Sequence, residues 1–190
     1  MKTLSIASCL LLLLVATAHR PATRTYVLNP TSSHLIWTGY AEAGGYAPSG
    51  TLRLAPGGTL VVSTPTALQA ARVLVDVRTL ANSNEKMQEH LRGTDFFDVA
   101  HFPTASFELL RVTNGQAQGR LTLKGQTHPV TVPVRIMPLG ADSLLLQGTA
   151  LIDPTQFGIN YNSSSFFQNL GSYAIRNDFQ LTFALKAGWR

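Results

Sequence analysis

The chain has 190 residues, with 15 Lys and Arg against 10 Asp and Glu, a net charge of +5 with histidine neutral, and 45% hydrophobic residues. The basic surplus is spread out with no Lys or Arg run, which argues against nucleic-acid binding and for solubility with a mild preference for anions. The single cysteine, Cys9, lies in an N-terminal apolar run, so the remainder can form neither a disulfide nor a cysteine-held zinc site.

Met1-Lys2 supplies a basic start, Leu4 to Val15 is apolar, and Ala16-Thr17-Ala18 has the small-x-small pattern of a cleavage site. Residues 1–18 therefore read as a secretory signal peptide. Its run of about a dozen apolar residues is short of the roughly 20 that cross a bilayer. Cys9 stands at the front of the run, whereas a lipid-modified cysteine would stand at its end. Residues 19–190 read as one domain, large enough to bury about 70% of its unfolded surface without disulfides.

Beyond the leader the chain is punctuated like an all-β protein. Tyr26 to Leu28 and His34 to Tyr40 read as strands, with Leu35 and Trp37 on one face. Thr51 to Leu54 resumes after Pro48-Ser49-Gly50. Pro56-Gly57-Gly58 then predicts a hairpin between Leu52–Leu54 and Leu60–Val62. Ala71, Val73, Val75 and Val77 alternate with mostly polar neighbours.

Met87 to Phe107 interrupts this grammar. Met87 and Leu91 share a face of a short helix, and Gly93 is expected to end it in the left-handed conformation. Thr94 and Asp95 are placed to cap a second turn that carries Phe96 and Phe97. Pro103 holds Phe102 extended, and Ala105, Phe107 and Leu109 recur every second residue as in a strand. A helical flap that feeds aromatics toward a sheet has the composition of a lid over an apolar cavity.

Asn114-Gly115 predicts a tight hairpin, and Lys124-Gly125-Gln126 the next turn. Val130 to Ile136 alternates around Pro133, which points to an edge, a bulge or a seam because proline donates no ladder bond. Leu144 to Ile152 and Phe179 to Lys186 complete eight or nine strands. No βαβ alternation is visible, so the sheet is antiparallel, and periodicity leaves a closed barrel and a two-sheet sandwich both open.

No catalytic motif stands out. The histidines His19, His34, His90, His101 and His128 show no H-x-H or H-E-x-x-H spacing, and there is neither a G-x-S-x-G elbow nor a phosphate-binding glycine loop. His90 and His101 flank the paired phenylalanines and could converge on a metal or act as acid and base; local bonding is the alternative. Asp95, Asp98 and Glu89 could pair as carboxylates, although Asp95 also suits capping. Gln156 to Leu170 gathers Phe157, Tyr161, Phe166 and Phe167 among small polar residues, as a loop closing over something apolar or a surface loop pinned by its aromatics. Asn162-Ser163-Ser164 satisfies a glycosylation sequon.

Several stretches, in order, carry a family resemblance: Asn29 to Trp37, Glu89-His90-Leu91 with Asp95 to Val99, Phe102 to Phe107, Gly119 to Gly125 with His128-Pro129-Val130, and Tyr161 to Phe167. With them the chain resembles the YceI-like family of secreted or periplasmic, polyisoprenoid-binding, lipocalin-like proteins. It departs from the common pattern at Asp153-Pro154-Thr155-Gln156-Phe157, where relatives often carry an arginine after the aspartate. It departs again at Ala47-Pro48-Ser49, where they often carry a histidine.

The resemblance implies an all-β fold, an antiparallel eight-stranded lipocalin-like β-barrel with a short helical flap, and a binding protein rather than an enzyme. An isoprenoid or similar long-chain lipid is expected in the interior. Trp37, Phe96, Phe97, Phe102, Phe107, Phe157, Phe166 and Phe167 would line or cap the channel. Asn84, His90 and Arg92 would meet the head group. No cofactor, metal or nucleic-acid partner is expected, while transient membrane contact and a homodimer stay open. The rival readings are a barrel enzyme with a histidine-bound metal or haem, and a stress-related module acting through its surface.

Overall fold

A computed structural model describes residues 22–41, 45–63, 66–160 and 176–189. The leader, Phe166, Phe167 and the sequon lie outside the described residues. Ten strands and one α-helix follow in order: β1 Thr23–Leu28, β2 His34–Thr38, β3 Ser49–Leu54, β4 Thr59–Ser63, β5 Ala67–Ala81, α1 Glu85–Arg92, β6 Thr104–Thr113, β7 Gln116–Leu123, β8 Gln126–Pro138, β9 Ser143–Ile152 and β10 Phe179–Trp189.

These strands form one antiparallel sheet that closes on itself where β5 pairs with β6, Val73 opposite Phe107. The ten segments make an eight-stranded barrel because two pairs of them lie end to end. β1 and β2 run successively along β10, and β4 and β3 run successively along β5. The hairpin expected across Pro56-Gly57-Gly58 is therefore not formed. The chain jogs there and continues in the same direction, with the Leu28 amide bonded to the Gly58 carbonyl and the Ala55 amide to that of Leu74. A proline-glycine break supplies the jog, but reversal also needs the following strand to turn back, and β4 finds its partners on β1 and β5 instead.

The other turns follow the sequence closely. Asn114-Gly115 and Lys124-Gly125 have positive φ at both residues, 51° and 73°, then 47° and 74°. That is the type I′ geometry whose twist matches a two-residue hairpin. Pro133 stands where β8 changes partner: pairing with β7 ends at Pro133, and pairing with β9 begins at Val134. The missing donor thus falls at a seam. A 3-10 turn, Pro154–Phe157, packs beside the first half of β8, with Phe157 against His128.

β5 carries a wide irregularity opposite β3, with Thr51 opposite Ala81 but Arg53 opposite Asp76. Local hydrogen bonds hold it. Thr79 Oγ1 donates to the Asp76 carbonyl at 2.6 Å and accepts from the Arg53 amide, and Arg78 Nε and Nη2 donate to the Asp76 carboxylate. The Arg78 hydrogen bond, outweighing desolvation, holds the Asp76 pKa below the ordinary carboxylate value. A depressed folded pKa stabilises the bulge above the unfolded value and loses that support as pH falls through the folded one. Replacing Arg78 by alanine should move the Asp76 titration, followed by carboxyl NMR, back toward the usual range; an unmoved titration would refute the pairing.

The end of the barrel built by β1 and β4 is filled by Tyr26, Leu28, Leu35, Leu60 and Leu185, all buried. Each such side chain contributes about 1.5–3 kcal/mol by leaving water. Toward the other end, large rings lie over glycines of neighbouring strands instead of meeting across the interior. A Cβ built on Gly50 falls 2.7 Å from the Trp37 ring, one on Gly119 2.4 Å from Phe107, and one on Gly148 2.7 Å from Phe183. At Gly50 that atom would also stand 1.8 Å from the Ala81 carbonyl oxygen, so backbone must give. Gly50→Ala should cost about 1–3 kcal/mol by overpacking; an unchanged thermal midpoint would show that β3 shifts freely.

Candidate functional site

Beneath α1 the interior stays open. An outer chamber of about 280 Å³ is walled by Trp37, Leu52, Val77, Leu80, Ala105, Leu123, Ile152, Phe179 and Leu181. Met87, His90, Leu91, Phe96 and Phe97 roof it. An inner chamber of about 100 Å³ follows, lined by Ala71, Val73, Phe107, Val132, Leu146 and Phe183. Val75, Ala105, Leu121, Ile152 and Leu181 border both, so the two are consecutive parts of one lumen. A water needs only about 10–15 Å³ of such space, so the outer chamber exceeds that by about twentyfold. The lining of the inner chamber includes one hydroxyl residue, Ser106.

The lid is built locally. Asn84 caps α1, its Oδ1 accepting from the Met87 amide at 3.2 Å. Met87 and Leu91 reach the chamber one turn apart, yet α1 has no buried residue, because what its apolar stripe covers is space. Arg92 Nε donates to the Leu80 carbonyl at 2.9 Å and ties the helix end to β5. Gly93 does not take the expected left-handed conformation: it is extended, φ −69° and ψ 172°, with its amide bonded to the His90 carbonyl. The chain folds back here, the Phe97, Asp98 and Val99 amides reaching the Leu91, Gly93 and Arg92 carbonyls. The left-handed residue is instead Asp98, φ 46°, and Thr94 to Phe97 form a turn that carries the two phenylalanines.

An aromatic chain closes the lid onto the barrel. His90 meets Phe96 edge-on at 5.2 Å, Phe96 lies 6.3 Å from Phe97, and Phe97 meets Phe179 of β10 edge-on at 6.3 Å. Edge-to-face pairs of this kind are worth about 0.5–1.5 kcal/mol beyond area.

The residues singled out from sequence thus separate into groups. Trp37, His90, Phe96 and Phe97 border the outer chamber and Phe107 the inner one. Phe102 and Phe157 border neither chamber. The Phe102 ring covers Gly125 in the β7–β8 turn, and Phe157, 1% exposed, packs edge-on against His128 at 5.1 Å. Asn84 and Arg92 hold the helix by the bonds above and border neither chamber. Asn84→Ala should cost about 1 kcal/mol through loss of the cap, read as a lowered thermal midpoint; an unchanged midpoint would show the cap to be dispensable. His101 Nδ1 is 2.8 Å from Asp98 Oδ1 and is exposed, away from the chambers. Among the described residues no three His, Cys, Asp or Glu side chains group as metal ligands.

Several lumen residues were not singled out beforehand. Phe179 and Phe183 are not among the expected ligand contacts, although the two-residue alternation of the last strand puts Phe179, Leu181, Phe183 and Leu185 on one face, and that face borders the lumen. Tyr46, Arg176 and Asp178 sit at the rim outside any strand and no sequence signal marks them, while Tyr40, the last residue of the expected His34–Tyr40 strand, falls two residues past the end of β2.

A closed antiparallel barrel, solid at one end and hollow under an aromatic lid at the other, defines a lipocalin-like barrel protein. The chain belongs to the YceI-like domain family, whose sequence profile matches residues 26–187. A UPF0312 protein of Vibrio cholerae is 31% identical over 108 residues, which cover 52% of this chain and 57% of that protein. One of Pseudomonas aeruginosa is 32% identical over 97 residues, covering 46% and 51%. The chain thus matches just over half the length of these curated relatives. Burkholderia cenocepacia BcnA has the same fold, with a TM-score of 0.68 at 19% identity, over 84% of this chain and 98% of that one. A polyisoprenoid-binding domain of Saccharophagus degradans gives 0.67 at 14% identity, over 87% and 98%. At such identities the likeness is one of fold.

Proposed function

We propose that this protein is an exported carrier that holds an isoprenoid or similar long-chain lipid in the barrel lumen. The observation that carries the reading is the two-chamber apolar interior beneath a lid of Phe96 and Phe97. The solved Saccharophagus degradans neighbour, a polyisoprenoid-binding domain, supports the ligand class. Residues 1–18 act as the export signal, and residues 19–190 form the mature periplasmic or secreted domain. Trp37, Phe96, Phe97 and Phe107 contact the chain. Phe166 and Phe167 join them from the second aromatic segment.

Magnitudes fit carriage rather than storage. Burying one five-carbon isoprene unit is worth roughly 4 kcal/mol at about 0.8 per carbon. Eight units would sum to more than about 30, beyond the ceiling near 20 reached by noncovalent complexes. Ordering costs and competition from a membrane remove much of that sum, leaving a ligand that can be delivered. Transient contact with a bilayer follows from the need to load and unload, and pairing of two copies is compatible with it.

Mass spectrometry of an organic extract from natively purified protein should return a long-chain lipid, and intact mass should show a chain starting at His19. Protein that consistently yields no lipid would overturn the carrier reading.

A further inference from the structure

Among the described residues, His90 stands in the roof edge-on to Phe96 and Ser106 borders the inner chamber, while the charged groups are at the rim. Among the described residues, the charged side chains bordering the outer chamber are Arg176 and Asp178. They form a forked pair, Arg176 Nε to Asp178 Oδ1 at 3.2 Å and Nη2 to Oδ2 at 3.1 Å. The pair is fixed in place. The Arg176 amide donates to the Tyr40 carbonyl at 2.9 Å, and its guanidinium carbon lies 5.2 Å over the Tyr40 ring. Tyr40 is anchored in turn by its hydroxyl, which donates to Gln180 Oε1 at 3.1 Å. Both charged side chains remain partly exposed, 48% and 29%, so a ligand can reach them.

Building on the carrier reading above, we propose that Arg176, Asp178 and Tyr40 form the head-group site, and that it selects an uncharged, hydroxyl-bearing head. The argument is one of charge and donor count. Arg176 and Asp178 cancel, so the pair gives no net attraction to a phosphate. An anion entering beside the carboxylate meets like charge unless it displaces it. The pair uses two of the five guanidinium N–H donors, and the carboxylate retains lone pairs. A hydroxyl serves both at once: its oxygen accepts from the guanidinium and its O–H donates to the carboxylate. A chain hung from this point runs past Phe179 into the lumen.

Farnesol and farnesyl phosphate share a chain and differ in head, so the full-length mature protein can be titrated with each below micelle concentration. Farnesol should bind about tenfold more tightly, the worth of one charge-assisted hydrogen bond. Arg176→Gln should weaken farnesol binding about tenfold, and Asp178→Asn should turn the preference toward farnesyl phosphate by freeing the guanidinium. Thermal unfolding of both variants checks that the rim substitutions leave the barrel intact. A wild-type preference for the phosphate, or a ratio untouched by either substitution, would overturn the assignment while leaving carriage standing. Failure of both probes to bind would remove carriage and this site together.

Discussion

Phe157→Ala should lower stability by about 3–5 kcal/mol, the usual cost of deleting a fully buried phenylalanine. For a domain of this size that is a fall in thermal midpoint of roughly 10 °C or more. The side chain is 1% exposed and edge-on to His128, on a 3-10 turn whose geometry is fixed at both ends. Asp153 Oδ1 accepts from the Thr155 amide at 2.9 Å, and Gly158 closes the turn at φ 72°. This turn packs against β8 ahead of Pro133, where the β8–β9 ladder has not yet begun. Phe157 therefore covers the first half of β8 where β9 does not pair with it. Phe96→Ala, by contrast, removes a half-buried ring that roofs open space, and should cost about 1 kcal/mol. Similar losses from both substitutions would contradict the division between wall and lid.

Ala105→Trp should weaken chain binding by about a hundredfold while the barrel survives. Ala105 is one of the residues bordering both chambers, so an indole there blocks the passage between them. Losing the inner chamber alone forfeits contact with about four methylenes, near 3 kcal/mol, or roughly a hundredfold in affinity. The outer chamber, about 280 Å³, has room for the new ring without displacing the strands. Lipid recovered by extraction should fall steeply, with a circular dichroism spectrum like that of the parent protein. Undiminished lipid of unchanged length would place the ligand elsewhere. A loss-of-function phenotype that ignores this substitution would favour a role for the outer surface.

Much of the wall was legible in sequence because strand alternation reports facing directly. Leu35 and Trp37, the Ala71 to Val77 series and Phe179 to Leu185 all point inward as their spacing required. Asn114-Gly115 likewise specified its own turn. What alternation does not report is partner choice. Pro56-Gly57-Gly58 looks like a reversal, and only the positions of β1 and β5 make it a jog. Nor does it separate a ring that borders a lumen from one that plugs a wall: Phe107 and Phe157 are equally apolar, and their roles diverge because one lies on a strand face and the other on a turn over the first half of β8. The head-group candidates Asn84 and Arg92 were chosen for polarity near the aromatic flap. Both polar groups are engaged with backbone, an ordinary fate for polar residues at helix ends. Rim residues such as Arg176 belong to no periodic pattern and become visible only when the barrel brings residues 40 and 176 together.

The rings that rest on Gly50, Gly119 and Gly148 carry a mechanical consequence. Trp37, held by its Nε1–H donating to the Ala81 carbonyl at 3.3 Å, together with Phe107 and Phe183 sets the free width of the lumen within the circumference that the strands fix. Widening or narrowing it calls for side-chain rotation alone, with every ladder bond intact. A tube calibrated by its inner fittings can accept guests of unequal girth while its outer shell holds one shape.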